Sequence, residues 1–134
     1  MRMLTTAAKL SELNRVTAFV DDALPDCAHG VRCRIALSVE EVFVNIASYA
    51  YPAGEGEVRI GIETGGDPLT VTLVFSDDGI PFDPLAKPDA DTSPDALTER
   101  VGGLGILMVK KLMDDVTYAR ENGQNVLTLR KQLN

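Results

Sequence analysis

The sequence predicts an α+β fold, a two-layer α/β sandwich in which helices cover one face of a mixed, mostly antiparallel sheet. Three observations predict it. Two stretches near the start carry apolar residues at helical spacing, and a third follows later. Four short stretches alternate apolar and polar residues, two before that third helix and two after it. Turn residues join the strands of each pair, which favours antiparallel neighbours. At 134 residues the chain suits a single domain, 1–134, with one core.

Ser11 to Leu24 carries Leu13, Val16, Phe19, Val20 and Leu24, an amphipathic helix that Ser11 can cap and Pro25 ends. A short loop containing His29 leads to a helix from Ile35, with Val39, Val42, Ile46 and Ala50 on its apolar stripe, stopping at Tyr51-Pro52. "EVRIGIET" alternates Val58, Ile60 and Ile62. "TGGDP" is a turn, and "LTVTLVFS" places Leu69, Val71, Leu73 and Phe75 on one face. Between Asp77 and Gly103 lie four prolines and seven acidic residues with few apolar ones. A long loop inside a compact domain is more often functional than idle, and a lid over a ligand is the expectation. "LGILMVKKLMDD" then reads as a helix, "VTYAR" as a strand, "ENGQ" as a hairpin turn and "NVLTLRKQ" as the closing strand.

Composition narrows the function classes. The chain is 45% hydrophobic and 25% charged, as in an ordinary soluble globular protein. Its formal net charge of −7 argues against nucleic acid or an anionic membrane as the main partner, though not against a phosphate ligand. No apolar run is long enough to span a bilayer, and the N-terminus lacks the pattern of an export signal, so a cytoplasmic location is expected. Cys27 and Cys33 flank the only histidine, His29, but the ligand count is short for zinc and the spacing is wrong. Reduced structural thiols and a surface histidine are expected instead.

Three patterns carry chemistry. On a helical wheel at about 100° per residue, Glu41 and Asn45 are one turn apart and share a stripe on the flank of the apolar face. Glu40 points roughly 140° away from Asn45 and reads as a solvated charge. Asp77 and Gly79 in "DDGIPFDP" directly follow a strand, placing a carboxylate acceptor beside a backbone free to turn, with Pro81 and Pro84 stiffening the exit. Such an acceptor in an apolar pocket suits an exocyclic amine such as that of adenine. Gly102, Gly103 and Gly105 in "VGGLGILMVKK" open a helix whose free N–H groups can meet a phosphate. Taken singly, a solvated helix flank, a capped acidic turn and a flexible loop closure explain these patterns too. Their order and spacing together do not reduce to that.

Together, E-V-F-V-N on a helix, D-D-G-I-P-F-D-P after a strand and G-G-L-G-I opening a helix resemble the three nucleotide-binding boxes of the GHKL ATPase superfamily. With "NIASYAYP", "PFDP" and "GGLGILMVKKLMDDVTY", the chain looks most like the anti-sigma-factor serine/threonine kinases of bacteria, over nearly its whole length. The resemblance implies a histidine-kinase-like ATPase fold that takes ATP and Mg²⁺. It implies Glu41 as general base, Asn45 as the magnesium ligand, and Asp77 as acceptor for the adenine amino group. Gly79 would let the base pack close, with Pro81 beside it. Gly102, Gly103, Leu104 and Gly105 would meet the phosphates, and residues from about 85 to 101 would form the ATP lid.

The pattern also has departures. Tyr49 stands where a histidine is often found. Arg100, the candidate to reach the terminal phosphate, sits one residue early. Asn125 replaces a common threonine that helps hold adenine. The implied function is a protein serine/threonine kinase that phosphorylates an anti-anti-sigma antagonist protein and sequesters a sigma factor or similar regulator. Homodimerisation through the sheet and first helix is common in that group. The alternatives are a nucleotide-dependent partner-binding module with little turnover, and the catalytic ATPase domain of a larger signalling protein.

Overall fold

The computed structural model describes residues 1–86 and 101–134. Its strands are β1 (Arg2–Ala7), β2 (Glu57–Gly65), β3 (Thr70–Asp77), β4 (Asp115–Glu121) and β5 (Gln124–Gln132), and its described helices are α1 (Leu13–Ala23), α2 (His29–Tyr49) and α3 (Val101–Leu112). The strands form one sheet in the order β1-β2-β3-β5-β4. Every described ladder is antiparallel, so the mixed component expected of the sheet is absent among the described residues.

Alternation decides which face is covered. In β3, Val71, Leu73, Phe75 and Asp77 are buried while Thr70, Thr72, Val74 and Ser76 are half-exposed. The buried set meets Val16 and Val20 of α1, Ile35, Val39, Val42 and Phe43 of α2, and Ile106 and Val109 of α3, so the helices share one face of the sheet. Burying these side chains supplies the main drive to fold, at about 1.5–3 kcal/mol for each large one.

Three further expectations are corrected. A fifth strand, β1, precedes α1 and pairs with β2 from Arg2↔Ile62 to Ala7↔Glu57. Its inward residues are Leu4 and Thr6, and the buried threonine blurs the apolar alternation that marks a strand. Ser11 does not cap α1: it lies in a 3-10 turn, Leu10–Glu12, and Glu12 occupies the N-cap without a side-chain hydrogen bond. The second helix begins at His29, so His29 is helical and not in a loop. There His29 Nε2 and Cys33 Sγ lie 3.3 Å apart, one turn from each other, and both cysteines are free. The β4–β5 turn matches expectation, with Asn122 (φ 53°) and Gly123 (φ 76°) in the left-handed conformations that a two-residue hairpin turn requires. No described helix is long and apolar enough to cross a membrane. Of the expected lid, residues 87–100 lie outside the described residues, as does Arg100.

Candidate functional site

The helix layer and the sheet part at one end to leave a cavity of about 40 Å³. Its walls are mainly apolar: Val42 and Ile46 from α2, Phe75 from β3, Ile106 from α3 and Leu127 from β5. Three polar side chains, Asn45, Asp77 and Asn125, interrupt that lining. All three are buried, Asp77 to 3% exposure. A buried carboxylate is costly unless its oxygens are hydrogen-bonded, and Asp77 Oδ1 accepts from Gly79 N and from Asn125 Nδ2, both at 2.9 Å.

The α2 stripe supplies Asn45 because it falls one turn after Glu41 and beside Val42. Glu40 is exposed and Glu41 half-buried, the orientation that the helical wheel requires. Glu41 makes no hydrogen bond or ion pair with a described residue, and it does not line the cavity. Tyr49 lies outside the lining as well, but its ring stacks on Phe82, 6.2 Å between centroids, and Phe82 forms one wall.

Gly79 closes the contact between the loop after β3 and the end of α2. A Cβ there would lie 2.3 Å from the Ala50 carbonyl oxygen, while the next residue, Ile80, donates its N–H to that same oxygen at 2.9 Å. Gly79 and Pro81 line a separate open bowl of about 320 Å³ on the other side of this loop. In that bowl Tyr51 donates its hydroxyl proton to Glu57 O at 2.6 Å and accepts from Asp78 N at 2.9 Å, and burial pushes its phenol pKa up. Asp78 is held below the usual carboxylate range, first by the Arg59 hydrogen bond and then by Gln124. Arg120 donates to Gly79 O at 2.8 Å and braces the loop from β4.

The structure therefore brings Asn45 and Asp77 to one cavity, with Gly79 adjacent and Glu41 one turn away. Gly102, Gly103, Leu104 and Gly105 lie in the opening turns of α3, whose next residue, Ile106, reaches the cavity wall. Sequence reasoning marked Asn125 only as a departure and passed over Phe82 and Tyr118. Asn125 is the cross-strand partner of Asp77, a placement legible only once the β3–β5 register is known.

The donor set fits a nucleotide. Apolar walls suit a flat base, and Asp77 offers an acceptor for its amine. A cavity of about 40 Å³ holds little more than a water or two. For magnesium, no cluster of three or more His, Cys, Asp or Glu side chains that could hold a metal exists among the described residues. Asn45 offers a single amide oxygen, which suits an ion carried mostly by phosphates and water.

Residues 6–131 match the family model described as a histidine kinase-like ATPase domain. The serine-protein kinase RsbW of Listeria monocytogenes is 31% identical over 98 residues, 69% of this chain and 61% of the relative. The serine-protein kinase RsbW of Staphylococcus aureus is 32% identical over 98 residues, 67% of this chain and 59% of the relative. The chain thus spans about three fifths of the length of the curated relatives it matches. The RsbU and RsbW domains of a Mycobacterium tuberculosis protein share the fold at a TM-score of 0.63 and 17% identity, over 99% of this chain and 33% of that one. Matched from Thr6 in its first strand to Lys131 in its last, the chain belongs to the histidine kinase-like ATPase domain family.

Proposed function

We propose that this protein binds ATP with Mg²⁺ and transfers the terminal phosphoryl group to a serine or threonine of a small antagonist protein, in the manner of an anti-sigma-factor kinase. In this reading it works in the cytoplasm, and it also sequesters a sigma factor or similar regulator. The observation that carries the reading is the joint placement of Asn45 and Asp77 in one apolar cavity, with Glu41 one turn from Asn45 on the same helix. The names of the relatives add the reaction class, serine-protein kinase.

Asp77 accepts from the base amine and fixes one end of the substrate. Asn45 presents its side-chain oxygen to the metal, which when bound neutralises charge across the phosphates. The opening turns of α3 direct backbone N–H groups to the phosphate oxygens, with Gly102, Gly103 and Gly105 leaving no side chain in the way. Glu41 takes the proton of the attacking hydroxyl as its oxygen bonds to phosphorus and the bond to the leaving diphosphate breaks.

One observation favours a second reading, a nucleotide-dependent binding module without turnover: Glu41 does not line the cavity. The two part on a pair of variants. In the kinase reading, Glu41→Ala lowers labelling of the antagonist serine by about a hundredfold or more and leaves ATP affinity within about threefold, while Glu40→Ala changes neither. Radiolabel transfer and calorimetric titration read the two quantities. A damaging Glu40→Ala, or an unlabelled antagonist in a sample whose thermal midpoint rises with ATP–Mg²⁺, defeats the kinase reading.

A further inference from the structure

We infer that Asn125 is a positioning residue that fixes the Asp77 carboxylate for base recognition, and so sets a preference for 6-amino over 6-oxo purine nucleotides. The inference rests on the nucleotide reading above.

Asn125 is 6% exposed and stands directly opposite Asp77 in the β3–β5 ladder. Its amide is fully committed. Nδ2 donates to Asp77 Oδ1 at 2.9 Å and to Ile80 O at 2.7 Å. Oδ1 accepts from Phe82 N at 3.2 Å and from the Tyr118 hydroxyl. Two donors and two acceptor sites are all that a side-chain amide has, so none is left for a ligand. The orientation of the amide is also forced. A flip would set its oxygen against the Asp77 and Ile80 oxygens and its NH₂ against the Phe82 N–H.

Asn125 therefore acts through Asp77 and does not touch a base. With Gly79 N it places two donors on Asp77 Oδ1, while Oδ2 receives no hydrogen bond from a described residue. A carboxylate pinned through one oxygen cannot rotate freely, and it leaves the other as a fixed acceptor at the cavity wall. Such an acceptor takes an exocyclic NH₂ and repels a carbonyl oxygen in the same place. The same amide ties Ile80 and Phe82, so the loop that walls the cavity is locked to the group that reads the base.

The test compares ATP with inosine triphosphate, whose O6 replaces the amine. Both affinities are measured by calorimetric titration on the full chain and on Asn125→Thr and Asn125→Val. These two variants are isosteric, and both lose the ties to Ile80 and Phe82. Only the threonine keeps a donor for Asp77. The expected ATP preference is about tenfold to a hundredfold in the unmodified protein. It stays at about fivefold or more in Asn125→Thr and falls to about twofold or less in Asn125→Val. Equal ratios in the two variants, or no preference in the unmodified protein, overturn the inference and leave nucleotide binding standing. An unmodified protein that binds neither nucleotide overturns both. If Asn125→Val lacks a cooperative thermal transition, Asn125→Ser and Asn125→Ala make the same comparison.

Discussion

Replacing Gly79 with alanine puts a methyl group where α2 already stands. The added Cβ lies 2.3 Å from the Ala50 carbonyl oxygen, 2.8 Å from its carbonyl carbon and 2.7 Å from its Cβ. Two of these atoms are backbone at the end of a helix, so no flexible side chain can yield. Gly79 is not among the positive-φ glycines, so the cost is one of space and not of backbone conformation. Relief requires the loop to lift from α2, which stretches the 2.9 Å bond from Ile80 N to Ala50 O and the 2.9 Å bond from Gly79 N to Asp77 Oδ1. Overpacking costs about 1–3 kcal/mol and each of the two weakened hydrogen bonds about 1 kcal/mol, for a total of about 3–5 kcal/mol. The unfolding entropy of a 134-residue chain is about 0.28 kcal/mol/K, so the midpoint falls by about 11–18 °C. Thermal denaturation followed by circular dichroism measures it. A fall of less than about 3 °C refutes the contact with Ala50 as the reason for glycine at this position.

Two further predictions concern stability away from the cavity. Thr6 is 4% exposed and its hydroxyl has no partner, so Thr6→Val removes a desolvated orphan at constant shape. It raises stability by about 1 kcal/mol, or about 3–4 °C in midpoint, and an unchanged or lower midpoint refutes the reading. Asp114 is held below its usual value of 3.8 by the Gln132 N–H first, with Lys131 assisting and burial opposing. A depressed carboxylate contributes stability above its unfolded pKa and loses it as pH falls through the folded pKa. The gap in urea stability between the unmodified protein and Asp114→Asn is therefore flat above about pH 5 and closes below pH 4, and it stays under about 1 kcal/mol because the Asp114 side chain is exposed. A gap that widens on acidification contradicts this sign.

What the sequence made legible is what local periodicity encodes. Val39, Val42 and Asn45 recur at helical spacing, so their facing follows from three residues of chain, and the split between exposed Glu40 and half-buried Glu41 follows from the same rotation. Asn122-Gly123 declares its turn because few residues tolerate positive φ. The misses share a different cause. β1 hid because its buried inward residue is Thr6, and its pairing to β2 spans at least fifty residues of chain, from Ala7 to Glu57 at its nearest. Asn125 hid because its partner, Asp77, is 48 residues away and meets it only through the register of β3 on β5. Chemistry-bearing residues announce themselves by type, whereas residues that aim them are defined by contacts that no window of sequence contains. Gly79 belongs to both kinds. Its place after Asp77 suggested an approach by a base, and its neighbour in the fold is Ala50. The loop is thus held against α2 by the bond from Ile80 N to Ala50 O, and Asp77 is set in position by Gly79 N and Asn125 Nδ2, contacts made within the chain itself.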